Sequence, residues 1–149
     1  MRESAKTAYC GLYCPMCSHL AAAETKDREH MLALPECYDH LKQRTFAECE
    51  CAGCKDQVDK CHCEMKPCAE KREITSCADC RDFPCSIIEA FGNDGAPHHA
   101  EALRNLWRIK EVGHGQWLKE MEARMYCVCG ARQSWYHYCP VHSDVENLK

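Results

Sequence analysis

The sequence predicts a small, mainly α fold with irregular, cysteine-rich loops and a short β element at its C-terminal end. Three observations predict it. Apolar residues recur at helical spacing in the first third of the chain and again between Pro97 and Met125. The intervening stretch from Cys49 to Cys85 carries nine cysteines, and the residues between them are mostly Lys, Glu, Asp and Ala. Near the end, the aromatics of Ser134-Trp135-Tyr136-His137-Tyr138 read as a strand between two cysteine-bearing turns.

The middle stretch has too few large apolar side chains for a core, since ordering each residue costs about 1–2 kcal/mol of backbone entropy. Sixteen of the 149 residues are cysteine. Disulfides or metal ions would supply the missing cross-links. Met1 to Thr7 leads into cysteines with no apolar leader, and no stretch approaches the roughly 18 apolar residues of a membrane span. The expected setting is therefore the cytoplasm, where clustered thiols serve as ligands or redox groups. The fold class then becomes a small metal-stapled, cysteine-rich domain. The formal charge is −4, and metal binding makes it more negative by deprotonating thiols. No basic run offsets this, so nucleic acid is not the expected partner.

Taken in order, Cys10-Gly11-Leu12-Tyr13-Cys14-Pro15-Met16-Cys17 precedes a helix expected over 15–34, with Pro15 at its first position. Cys14 and Cys17 would then lie by the positive end of the helix dipole, which favours thiolate for a ligand or for a nucleophile. The same C-x3-C-x2-C spacing holds a four-iron cluster in radical enzymes, but the chain lacks the length and strand pattern of their barrel. A second helix is expected over 35–47, with Cys37 as a buried structural thiol. Gly53 allows a tight turn in Cys51-Ala52-Gly53-Cys54. His62, between Cys61 and Cys63, reads either as a ligand or as a solvated side chain. Pro84 is expected to open a short helix bearing Ile87, Ile88 and Phe91, mirroring Pro15, so that two thiolate clusters dock on helix N-termini. Helices over 97–111 (Ala100, Leu103, Leu106 and Trp107 inward) and 116–124 (Trp117, Leu118, Met121) follow the break at Gly92-Asn93-Asp94-Gly95. His98 and His99 are expected in solvent.

Cys127-Val128-Cys129-Gly130 and Cys139-Pro140-Val141-His142 make two ligand pairs bridged by the aromatic segment. Cys127, Cys129, Cys139 and His142 are the expected ligands of a closed zinc site, with His137 as a rival fourth ligand. Setting Cys37 aside leaves Cys10, Cys14, Cys17, Cys49, Cys51, Cys54, Cys61, Cys63, Cys68, Cys77, Cys80 and Cys85, enough for three four-thiolate sites. Their pairing cannot be read from spacing; Cys10, Cys14 and Cys17 are expected to be completed from the middle run. Paired C-x2-C and C-x-C knuckles with glycine favour zinc, with an iron–sulfur cluster as the alternative at these N-terminal sites. The expected organisation is a multi-metal domain over 1–95, a helical hairpin packing on it over 96–125 and a zinc-ribbon-like tail over 126–149.

Cys10 to Cys17, Cys51-Ala52-Gly53-Cys54, Cys61-His62-Cys63, Lys66-Pro67-Cys68-Ala69-Glu70-Lys71 and Cys77-Ala78-Asp79-Cys80-Arg81-Asp82-Phe83-Pro84-Cys85 together resemble the prokaryotic cysteine-rich proteins of domain of unknown function 3795, over about residues 8–92. That resemblance implies metal binding and no reaction. The tail resembles a zinc-ribbon extension of some members, with Tyr126 and His142 where two cysteines usually stand. No phosphate loop, Ser-His-Asp pattern or H-E-x-x-H is present. The expected function is a non-enzymatic zinc-binding module for interaction with a protein or for regulation, with Trp135, Tyr136 and Tyr138 as a contact surface or as packing around the zinc. The alternative is an iron–sulfur electron carrier, or a thiol redox enzyme using Cys14 or Cys17.

Overall fold

A computed structural model describes residues 6–49, 51–56, 63–135 and 138–142. It is mainly helical, and its β structure among the described residues consists of isolated bridges. The chain divides into two compact units. One combines Pro15–Ala52 with Glu122–Lys149, the other Met1–Cys14 with Gly53–Met121.

The first of these units is built from short helices α1 (Ser18–Thr25), α2 (Glu29–Leu32), α3 (Asp39–Lys42) and α4 (Phe46–Cys49). The two long helices expected here are broken, for local reasons. Lys26 takes a left-handed conformation (φ 62°) and ends α1 by donating its N–H to the Ala22 carbonyl. The Asp27 carboxylate then accepts the Glu29 N–H at 2.9 Å, competing with continued helix. Farther on, the Thr45 N–H and hydroxyl both donate to the Glu48 carboxylate at 2.7 Å, so a new helix starts at Phe46. Pro15 falls in a 3₁₀ turn (Cys14–Met16), and Cys17 is the N-cap of α1. These pieces close over one apolar cluster containing Ala22, Met31, Leu34, Tyr38, Leu41 and Cys49. From the C-terminal segment, Trp135 and Tyr138 complete it, their rings 5.0 and 6.2 Å from that of Tyr38. Cys37, expected inside, is exposed: it sits on a 3₁₀ turn whose inward position is taken by the larger, aromatic Tyr38.

The other unit holds α5 (Met65–Lys71), α6 (Ser86–Gly92), α7 (Pro97–Val112) and the start of α8 (His114–Arg124). Pro97 occupies the first turn of α7, whose missing N–H costs nothing there. Helix α7 buries Ala102, Asn105, Leu106 and Ile109, and α8 buries Trp117, Leu118 and Met121. Trp107, expected inside, is 49% exposed and packs edge-on against Phe83 at 4.8 Å. One residue past Leu106, it lies about 100° around the helix from the buried stripe. His99, expected in solvent, is half-buried, stacking on Phe91 at 3.8 Å and paired with Asp94. Pro84 precedes α6 without entering it, and Cys85 is its N-cap. A guanidinium–carboxylate fork from Arg108 to Glu120 (2.9 and 2.8 Å) ties α7 to α8. Among the described residues no helix is long and apolar enough to cross a membrane.

Candidate metal centre

The tail site is assembled by two tight turns. In the first, Tyr126 and Arg132 form an antiparallel bridge. Within it, the Cys127 N–H donates to the Ala131 carbonyl and the Gly130 N–H to the Cys127 carbonyl, both at 2.8 Å. In the second, Ser134 bridges Tyr138 with bonds of 3.0 and 3.2 Å, which delivers Cys139 next door. Ser134 and Tyr138, the two ends of the expected strand, pair with each other instead, and Trp135 lies in a turn at φ 39°. The segment is fastened by the Arg132 guanidinium, which donates to the Pro15 carbonyl at 2.7 Å and pairs with Glu24. Gln133 donates its N–H to the Met125 carbonyl at 2.8 Å, and the Trp135 N–H donates to the Met16 carbonyl.

These turns bring together the four residues expected as ligands. The donor atoms of Cys127, Cys129, Cys139 and His142 all lie within 4.8 Å of one another. The Cys129 and Cys139 sulfurs are 3.7 Å apart, and His142 Nδ1 is 3.5 Å from Cys127 Sγ and 3.8 Å from Cys139 Sγ. Zinc bonds of about 2.3 Å to sulfur and about 2.0–2.1 Å to nitrogen, at the tetrahedral angle, put sulfurs about 3.8 Å apart and sulfur about 3.6 Å from nitrogen. The three measured edges are those of such a tetrahedron, so the residues fit a single ion. The Val141 N–H, 3.4 Å from Cys139 Sγ, faces a sulfur that carries charge when a metal is bound. The Cys129 backbone amide and then His142 hold the Cys127 pKa down, at about 6. Burial pushes the Cys139 thiol up. His137, the rival ligand, lies outside the described residues.

The other unit gathers a larger set. Cys10 sits in a loop closed by a Thr7–Tyr13 bridge, and the Cys77 N–H donates to the Tyr9 carbonyl at 2.8 Å, so two cysteine segments are pinned together. Gly11 (φ 89°) lies against α7; a Cβ there would come 2.5 Å from the Ala102 carbonyl oxygen and 2.8 Å from Leu106 Cγ. Burial pushes the Cys10 thiol far up, and Cys63, Cys14 and Cys77 add to the effect by like-charge repulsion. Lys55 sits over the Tyr9 ring at 5.3 Å in the field of Cys14 and Cys54, and burial still lowers its pKa. Cys77 is pushed up to about 12 by burial and then by Cys85, Cys68, Cys80 and Cys63. Thiols packed this way ionise together only with a cation among them.

The model for the family described as protein of unknown function, DUF3795, matches residues 6–90, more than half of the chain. The chain belongs to the DUF3795 family. Comparison with curated proteins and with solved structures gives no match. The DUF3795 match takes in every cysteine from Cys10 to Cys85 and stops short of the tail site. Within the DUF3795 region, Cys10, Cys14, Cys54, Cys63, Cys68, Cys77, Cys80 and Cys85 fall in one unit; Cys17, Cys49 and Cys51 fall in the other. Cys17 packs against the apolar cluster that includes Cys49, and the Cys49 carbonyl lies 3.1 Å from His19 Nδ1. Cys61 and His62 lie outside the described residues. Among the described residues no disulfide is present.

Several residues that shape these sites escape sequence reasoning. Asn105, 4% exposed, donates to the Gly11 carbonyl at 3.0 Å. Its signal was a polar residue three positions after Ala102 and four before Ile109, on the apolar face of a helix. Arg72 donates to Cys80 Sγ at 3.3 Å and to Asp82 at 2.5 Å; nothing in its local spacing marks it.

Proposed function

We propose that this DUF3795 protein is a cytoplasmic zinc-binding module that acts by contact with another protein, with the tail as a compact zinc-ribbon-like site. The observation that carries the reading is that the donors of Cys127, Cys129, Cys139 and His142 all lie within 4.8 Å of one another, three of their separations being 3.5 to 3.8 Å. Three thiolates and an imidazole are a donor set that zinc favours. Four protein ligands close the coordination shell and leave no position for a substrate, which supports a structural over a catalytic role.

The contact surface in this reading is not the one expected from the aromatics. Trp135 and Tyr138 are spent on the core, and Tyr136 lies outside the described residues. The turns instead present Val128, 90% exposed, with Val141 at 64% and Tyr126 at 56%. Apolar side chains displayed on a rigid metal-held turn are ready to bury against a partner without a large ordering cost.

Elemental analysis of protein purified without oxygen tests the metal. Cobalt exchanged into the site should give a tetrahedral, thiolate-rich spectrum, lost in Cys129→Ser and weakened in His142→Ala. Unchanged metal content in both variants would refute the site. Val128→Asp with Val141→Asp should abolish recovery of a stoichiometric partner while zinc content stays intact; recovery at wild-type levels would refute the surface.

A further inference from the structure

A second, different thiol site lies in the unit built on α5 to α8. Cys68 on α5, Cys77 and Cys80 on either side of a 3₁₀ turn and Cys85 at the start of α6 all line one pocket of about 250 Å³. Its walls are otherwise largely apolar, with Met65, Ile74, Phe83 and Ile88 among them. Arg72 is its cation, with one guanidinium nitrogen 3.3 Å from Cys80 Sγ.

The spacing of these four sulfurs sets them apart from the tail. The tail's donors fall inside 4.8 Å of one another; among the described residues no three of Cys68, Cys77, Cys80 and Cys85 do. A single tetrahedral ion needs sulfurs about 3.8 Å apart. A cluster of several irons bridged by sulfide holds its four terminal thiolates much farther apart and needs volume between them. It also favours apolar walls, with hydrogen-bond donors aimed at its sulfurs. The pocket offers space between thiols that do not converge on one point, largely apolar walls, and one donor, Arg72, at a sulfur.

We propose that Cys68, Cys77, Cys80 and Cys85 hold an iron–sulfur cluster in this pocket, with Arg72 donating to the Cys80 thiolate. The inference is independent of the zinc reading of the tail, because the two sites share no residue and lie in different units. Each cysteine supplies one Fe–S bond as a thiolate and releases its proton to solvent; ferric iron and inorganic sulfide come from outside the chain, and an external thiol, oxidised to its disulfide, supplies the two electrons that a four-iron core needs.

The test is anaerobic reconstitution of the full chain with ferric iron, sulfide and a thiol reductant, followed by desalting. Iron and acid-labile sulfide should be retained in equal amounts, roughly two to four of each for one such cluster, with broad visible charge-transfer absorption. Cys80→Ser and Cys85→Ser should each lose that iron and sulfide. Cys37→Ser and Cys129→Ser should keep both. Helical circular dichroism on zinc-loaded samples separates loss of the site from loss of the fold. Arg72→Gln should keep the cluster and shift its reduction potential downward. Retention of zinc alone with no sulfide, or full iron and sulfide content in folded Cys80→Ser and Cys85→Ser, would overturn the proposal.

Discussion

Asn105 in the middle of α7 donates a 3.0 Å hydrogen bond to the carbonyl of Gly11, 94 residues earlier. The bond is buried and fastens the Cys10 loop to the longest helix. Removing Asn105 leaves a buried carbonyl unsatisfied, which costs about 1–3 kcal/mol. Gly11→Ala is worse, because it combines a φ of 89° with a 2.5 Å approach to backbone oxygen. Expected losses are about 1–3 kcal/mol for Asn105→Ala and about 3 kcal/mol or more for Gly11→Ala. Denaturant unfolding of metal-loaded protein checks both; wild-type midpoints would show that the loop is not held this way.

Two neighbours on α7 separate packing from charge. Leu106 is fully buried and touches the space that Gly11 must leave empty. Arg108 makes the fork to Glu120 in a solvent-exposed position. Leu106→Ala should cost about 2–5 kcal/mol. Arg108→Ala should change stability little, since exposed ion pairs are screened by water and salt. Equal effects from the two substitutions would show that the fork does more than an exposed ion pair can.

Helices α7 and α8 were legible because their apolar residues keep a period of 3.6 over several turns. Trp107 deceived because it lies next to the buried stripe, not within it. The N-terminal helices were read too long because periodicity ignores side chains that compete for the backbone. Asp27 and the Thr45–Glu48 pair do so, and the second was visible as T-x-x-E. The gathering of Cys127, Cys129, Cys139 and His142 was legible since both pairs sit on local turns, where spacing in sequence fixes spacing in space. Grouping Cys68 with Cys77, Cys80 and Cys85 was not, because it depends on α5 and α6 lining the same pocket.

Acid should weaken the unit that contains α1 to α4. His30 is 5% exposed, and its Nδ1 has no hydrogen-bond partner among the described residues. Burial, and then Arg132, lowers its pKa; burial lowers that of His19 also. Both are therefore neutral in the fold at pH values where the unfolded chain, with histidine near about 6.5, is protonated. Below about 6.5 the unfolded state binds more protons, so stability falls as pH falls from there toward the lowered folded values. His30→Leu should flatten that decline relative to wild type with the same metal content. Parallel curves for the two proteins would show that His30 is not responsible.

Metal removal should unfold the cysteine-rich loops before the long helices. Between Gly53 and Cys85 the buried apolar side chains among the described residues are few, chiefly Met65, Ala69 and Ala78. Structural zinc contributes roughly 10–16 kcal/mol of apparent binding free energy in small peptides. A whole domain is stable by only about 5–15 kcal/mol. One occupied site thus outweighs what this segment can bury. The pairing of Tyr13 with Trp117, 5.8 Å apart, and the Arg108–Glu120 fork between α7 and α8 involve no cysteine. After exhaustive chelation under a thiol reductant, trypsin should cut first at Lys55, Lys71, Arg72 or Arg81, with partial loss of helical circular dichroism. Full helical signal and full protease resistance in verified metal-free protein would mean that the polypeptide alone specifies these loops.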